Sequence, residues 1–215
     1  MPIPLKPFYM IRHGETEANA ARIMAGHLDT PLTQKGRAQA GEAARVVAAL
    51  KTKPAALFHS HLSRARDTAA LINETLGAPM YEDPDLAEIH AGDFEGAAYE
   101  ECNPLFHGWP DIPNGEKHTD FFERVRRGKS RAIGGSYEPV LIVCHGGVMR
   151  AFGEIYAVPT PGKFQNAHLY EFVPNPEKTH FPWDVFDYRL CPETKKLIKS
   201  RSILYDSSSA DEIAS

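Results

Sequence analysis

The chain has 215 residues, 42% of them hydrophobic, and its 24 Lys and Arg against 28 Asp and Glu leave a formal net charge of −4. That length suits one α/β domain able to bury its core without disulfides or metals. The weak acidity argues against a nucleic-acid binder, which carries a basic footprint, but leaves open a small anionic ligand, which senses only its local pocket.

Pro2, Pro4 and Pro7 make an extended lead-in, and Phe8-Tyr9-Met10-Ile11 predicts a short buried strand that delivers a polar loop. Thr33 to about Leu50 carries Ala, Val and Leu at helical spacing, with Thr33 as N-cap. Ala55-Ala56-Leu57-Phe58 predicts a second strand, and Leu62 to Leu76 a helix stopped before Gly77 and Pro79. The stretch 80–115, richer in Gly, Pro and Asp, predicts loops with little regular structure. Glu116 to Ile133 predicts a helix closed by Gly134-Gly135. Val140-Leu141-Ile142-Val143 predicts a strand buried on both faces, followed by a helix from Gly147 to Ala157. His168 to Val173 predicts a late strand, and Val185–Leu190 with Leu197–Leu204 a hairpin around Pro192-Glu193-Thr194. Residues 1–205 then form a single domain, and the polar 206–215 a flexible tail.

Strand followed by helix, repeated, implies a mostly parallel sheet with helices on both faces. Sites in such sheets lie beyond the C-terminal strand ends, where Arg12-His13, Ser60 and His145-Gly146-Gly147 fall. Three scattered cysteines, Cys102, Cys144 and Cys191, form no CxxC pair and suit a reducing cytosol. The first seven residues lack the apolar run of a secretory signal, and no stretch approaches the ~20 apolar residues of a membrane span. The expectation is a cytoplasmic protein with neither a membrane nor a nucleic-acid partner; its oligomeric state is open.

In Arg12-His13-Gly14-Glu15-Thr16, a neutral imidazole can attack phosphorus once its ring is oriented, while the adjacent guanidinium grips phosphate oxygens. Alone, such a short run is equally a solvated turn. In Ser60 to Ala69 a strand end runs into a helix, and of its two arginines Arg64 is assigned to the pocket and Arg66 to solvent, since both cannot face one way. In Cys144-His145-Gly146-Gly147, His145 can donate to a phosphoryl oxygen; its bland reading is a strand-ending histidine bonded to backbone. Cys144 ends a buried run and is read as a small apolar group, not a nucleophile. Phosphoryl transfer needs a proton for the leaving oxygen, and Glu88, flanked by apolar residues, is the candidate donor over the loop acids Asp93 and Glu95. His107, His118 and His180 have no metal-ligand spacing and read as surface residues; Trp109 and Phe121-Phe122 line a pocket mouth or, more simply, pack.

Taken in order, these segments resemble the histidine phosphatase superfamily in its phosphoglycerate-mutase-like branch. The resemblance rests on Arg12 to Thr16 with Asn19, Gly26, Asp29 to Thr33 with Gly36 and Gln39-Ala40, Ser60 to Ala69, Glu88 to Gly96, Gly115-Glu116, His145-Gly146-Gly147 and Asn166-Ala167, and spans roughly residues 8 to 173. It implies a three-layer α/β/α sandwich with a mostly parallel central sheet. It implies a phosphohistidine on His13, a phosphoryl group held by Arg12, Arg64 and His145 with help from Asn19, and Glu88 as proton donor and then as base for water. No metal and no cofactor are implied, and the partner is a small phosphorylated substrate.

The acid segment Glu88 to Gly96 looks like that of the phosphatase members, because the glycolytic mutases carry Glu-Arg-His-Tyr-Gly there and a longer insertion. The expected function is therefore a metal-independent phosphomonoesterase. The alternatives are a phosphoglycerate mutase and a catalytically silent phosphate-binding protein, against which the intact set of His13, Arg12, Arg64, Glu88 and His145 speaks. Gly115-Glu116-Lys117 and Met24-Ala25-Gly26-His27 depart from the common family runs, which leaves the substrate open, and the resemblance does not extend to the segment after Pro174.

Overall fold

The computed structural model describes residues 2–106 and 108–205; the expected flexible tail, 206–215, and His107 lie outside them. The chain begins with β1 (Phe8–Arg12), the short helix α1 (Glu17–Ala21), α2 (Gln34–Ala49), β2 (Ala56–His59) and α3 (Ser63–Leu76). Then come β3 (Met80–Glu82), two 3-10 turns (Pro84–Leu86 and Gly92–Phe94), α4 (Tyr99–Phe106) and α5 (His118–Gly134). It closes with β4 (Val140–Cys144), α6 (Gly146–Ile155), β5 (Leu169–Pro174), β6 (Trp183–Leu190) and β7 (Leu197–Arg201). The expectation of loops with little regular structure over 80–115 is corrected where β3 and α4 lie. β3 is a short edge strand with exposed Tyr81 and Glu82, so it lacks the apolar run that marks a strand.

The sheet runs β3-β2-β4-β1-β5-β6-β7. Its first four strands are parallel, and the last three join antiparallel, so the sheet as a whole is mixed. The late strands β5, β6 and β7 are linked by short loops without crossover helices, which can connect only antiparallel neighbours. β1 and β4 are central, and their residues alternate between two cores. Phe8, Met10, Val140, Ile142 and Cys144 face the layer of α5 and α6. Tyr9, Ile11, Leu141 and Val143 face the layer of α2 and α3, giving three layers.

Thr33 Oγ1 accepts from the Gly36 N–H (2.9 Å) and starts α2, whose buried residues Ala40, Ala43, Ala44 and Val47 recur at helical spacing. α3 ends on Gly77 in a left-handed turn. The segment after Pro174 completes the aromatic core. Phe8 stacks on Phe172 with centroids 4.4 Å apart, Phe181 stacks on Tyr205 at 4.9 Å, and Trp183 Nε1 donates to the Lys6 carbonyl (3.0 Å). No helix among the described residues is long and apolar enough to cross a membrane.

Lys129 on α5 lies in this core, fully buried. Its Nζ meets the weak acceptor Met10 Sδ (2.9 Å) and the face of Phe152 (4.3 Å to the centroid). Burial pushes its pKa down from 10.5 to about 8, against the opposing pull of Cys144. The folded chain therefore releases this proton above about pH 8 and the unfolded chain only near 10.5. The unfolded state binds more protons in that window, so stability rises with pH through it. Lys129→Met is expected to stabilise the protein at pH 7 by on the order of 3 kcal/mol and to flatten that rise. Urea unfolding across pH 7 to 11 checks it; a loss of stability at pH 7 would mean that the ring contacts outweigh the desolvation.

Candidate active site

The end of β1 carries His13, and its N–H donates to the Cys144 carbonyl (2.9 Å), extending the pairing with β4 by one step. The imidazole is 4% exposed. Its Nδ1 lies 2.7 Å from the Gly14 carbonyl oxygen, which only accepts, so Nδ1 holds the proton and Nε2 keeps a lone pair. Asn166 Nδ2 donates to the His13 carbonyl (2.8 Å), and the Gly14 N–H donates to Thr68 Oγ1 (3.0 Å), so the main chain on either side is fixed. A Cβ on Gly14 would collide with the Gly36 carbonyl in the first turn of α2, which is why the loop needs glycine there. Burial first, then the charges of Arg12 and Arg64, hold the His13 pKa well below 6.5 and keep the ring neutral.

Arg64 sits on the buried face of α3 with Ala65, Thr68, Ala69 and Ile72. Its Nη2 donates to the Gly26 carbonyl (2.7 Å), its Nη1 to the Leu28 carbonyl (2.9 Å) and its Nε to His145 Nδ1 (3.3 Å). Arg66 is exposed and bonds Asp67, so the two arginines divide as their helical spacing predicts. Arg12 Nη1 donates to the Phe164 carbonyl (2.8 Å), while its buried Nε has no hydrogen-bond partner.

His145 caps the start of α6, fully buried, with its ring centroid 5.2 Å from that of His13. Because Nδ1 accepts from Arg64, Nε2 is the donor, and it lies 2.7 Å from Ser60 Oγ. Both ring nitrogens are thus engaged inside the protein, and neither His145 nor Ser60 lines the cavity. Burial, then Arg64, His13 and Arg12, hold its pKa well below 6.5.

Glu88 stands between the two 3-10 turns. Its Oε2 accepts from the Gly147 N–H (3.0 Å) at the positive end of α6, and its Oε1 from the Ile89 N–H (3.0 Å). A side chain on Gly147 would strike Glu88 Oε1, so this glycine admits the carboxylate. The segment is anchored to α5 by a stripe of arginines. Arg131 pairs with Asp83, Arg127 with Asp85, and Arg124 Nη1 and Nη2 donate to the Ala87 and Glu88 carbonyls (2.7 Å each).

Asn19 lines the cavity, where its Oδ1 accepts from the Thr16 N–H (3.3 Å) in a capping box and from Asn166 Nδ2 (3.4 Å). Cys144 is fully buried and its thiol is pushed up to about 11, mainly by burial, consistent with an inert residue. Trp109 both packs and lines: Phe122 meets it edge-on at 4.9 Å, and the Arg150 guanidinium lies 4.7 Å from its ring centre. His118 is half-buried and His180 exposed, and the described residues include no cluster of three or more His, Cys, Asp or Glu able to hold a metal ion.

Tyr99, Arg150 and Lys163 also line the cavity, and none of them belongs to the motifs that mark the site in the sequence. Arg150 carries a legible signal, since it lies one helical turn beyond Gly146 and Gly147 and so shares their face. Lys163 lies in an irregular loop, and Tyr99 begins a helix masked by the polar run Glu100-Glu101, so neither shows a periodicity.

The model of the histidine phosphatase superfamily (branch 1) matches residues 8–180. The chain is 37% identical over 159 residues to a glucosyl-3-phosphoglycerate phosphatase of Mycolicibacterium vanbaalenii, covering 66% of this chain and 70% of that protein. It is 33% identical over 180 residues to a metal-independent phosphoserine phosphatase of Arabidopsis thaliana, covering 74% and 73%. The solved structure of a mycobacterial glucosyl-3-phosphoglycerate phosphatase with VO3 matches with a TM-score of 0.69 at 27% identity, over 84% of this chain and 97% of that one.

Arg64→Ala removes one of the charges that disfavour an imidazolium at His13, so the His13 pKa is expected to move up toward 6.5. Nitrogen-detected NMR of the labelled imidazole reads the shift; a downward movement would contradict the arrangement.

Proposed function

The chain belongs to the histidine phosphatase superfamily, and from that premise we propose that it is a metal-independent phosphomonoesterase that carries a phosphoryl group on His13. The observation that carries the reading is the His13 ring, neutral, with its proton locked on Gly14 and its Nε2 bare beside two guanidinium groups. Nε2 attacks phosphorus and the bond from phosphorus to the leaving oxygen breaks. Arg12 and Arg64 balance the charge on the phosphoryl oxygens, with the Asn19 amide at the rim. Glu88 gives its proton to the leaving oxygen. The resulting carboxylate then takes a proton from water, whose oxygen displaces His13 from phosphorus, and inorganic phosphate leaves. His145 acts through Arg64, which it seats from behind while Ser60 fixes its ring.

Arg150 and Lys163 extend the cationic lining beyond the phosphoryl grip, while Glu88 is the one carboxylate among the described lining residues. Two further cationic side chains at the cavity suit a small phosphomonoester whose leaving group bears a second anionic group. The phosphoglycerate ester and phosphoserine named for the relatives both carry a carboxylate. The unpaired cysteines support a cytoplasmic location.

His13→Ala is expected to lower kcat/KM on p-nitrophenyl phosphate by about a thousandfold or more, with a chelator leaving the wild-type rate unchanged. Acid-labile phosphate should be trapped on the wild type and not on the variant. Full activity of His13→Ala would sink the reading, and isomerisation of phosphoglycerate outpacing its hydrolysis would replace it with a mutase. Arg150→Gln with Lys163→Gln should reduce the preference for a carboxylate-bearing over an uncharged phosphomonoester by about tenfold, read as the ratio of kcat/KM values.

A further inference from the structure

Glu88 stands on irregular chain, so its carboxylate is aimed by whatever holds its main chain. Its carbonyl oxygen accepts two bonds of 2.7 Å, one from Arg124 Nη2 and one from His27 Nε2. Arg124 belongs to a rigid frame, with both its Nε and Nη2 on the Glu116 carboxylate (2.6 and 2.7 Å). His27 comes from elsewhere. It lies between Gly26 and Leu28, whose carbonyls accept the two terminal nitrogens of Arg64. Its own N–H donates to Glu95 Oε1 (2.7 Å), which also accepts from the Ala91 N–H (3.0 Å). Residues 26–28 therefore hold the phosphate-gripping arginine through main chain and the acid through one side chain. A carbonyl only accepts, so Nε2 of His27 carries a proton.

We infer that His27 is a positioning residue that sets the reach of Glu88 relative to the phosphoryl group gripped by Arg64. This rests on the proposed role of Glu88 as proton donor. A displacement of about 1 Å at a reacting group costs on the order of a hundredfold in rate. The cost should fall on the proton transfer alone. A nitrophenolate departs without a proton, whereas an alkoxide needs one, so a misplaced acid penalises alkyl esters selectively. The rings of His61 and His90 lie 6.0 and 5.2 Å from that of His27, and a mere packing role among them predicts one common loss for every substrate.

Two polar variants separate these cases. In His27→Gln the amide nitrogen reaches the place of the imidazole Nε2; in His27→Asn it stops one bond short. The substrates are p-nitrophenyl phosphate and glycerol phosphate, compared by kcat/KM, which covers steps through transfer to His13. His27→Asn is expected to lose about tenfold to a hundredfold on glycerol phosphate and less than about threefold on p-nitrophenyl phosphate. His27→Gln is expected to recover glycerol phosphate to within about threefold of wild type. Equal losses on both esters, no loss, or a Gln variant no better than Asn would overturn the inference. A Glu88→Gln variant that loses no more on glycerol phosphate than on p-nitrophenyl phosphate would instead overturn the proton-donor reading beneath it, so the two failures are distinguishable.

Discussion

β1 and β4 lie side by side at the centre of the sheet, with Arg12 opposite Cys144 and the His13 N–H on the Cys144 carbonyl. Because the pair is parallel and in register, both strands end at the same level and release their chains on the same side. His13 and His145 emerge next to each other there, and α6 starts at once beside them. A shift of β1 by one residue against β4 would turn β1 inside out, exchanging the face of Phe8 and Met10 with that of Tyr9 and Ile11. The two dissimilar cores thus fix the register, and the register fixes the distance between the imidazoles.

The electrostatics follow from that closeness. Arg12 and Arg64 are drawn into a poorly hydrated site next to two imidazoles, and burial lowers the pKa of all four groups. Each guanidinium is compensated by main-chain carbonyls, of Gly26 and Leu28 for Arg64 and of Phe164 for Arg12. Carbonyls supply partial charge without annulling the positive field, so an incoming phosphate meets cations not already neutralised by a carboxylate bonded to them. The histidines give way and stay uncharged, and for His13 that is the state the proposed attack on phosphorus requires.

Much of this was legible in the residues. The apolar run Phe8–Ile11, the β-branched Val140–Val143 and the Thr33 cap each marked its element, because local chemistry and tertiary role agree there. Helical spacing alone says that Arg64 and Arg66 face different ways; the buried face of α3 decides which one points inward. What stayed hidden depends on distant chain. The bond from His27 to the Glu88 carbonyl and the pairing of Ser60 with His145 leave no periodic trace. The buried engagement of both His145 nitrogens also differs from the phosphate-donating role implied by the family resemblance. Arg124, Arg127 and Arg131 follow a 3-4 spacing that reads as a solvated face until Asp83 and Asp85 are seen against it. The aromatic core after Pro174 was unreadable for a similar reason: Phe181 and Trp183 acquire meaning only against Phe152 and Tyr205.

The order of strands carries one more consequence, for the time at which the site comes into being. β1 leaves the ribosome well before its sheet neighbours β4 and β5, with α2, β2, α3 and α5 made in between. The strand that carries His13 waits without a ladder partner, and closing so long a loop is the slow kind of folding step. Glu88, Arg64 and His13 are brought together only when the central sheet is complete. The cavity is lined by residues from Arg12 to Phe164, so turnover doubles as a measure of how many molecules have brought that whole span together.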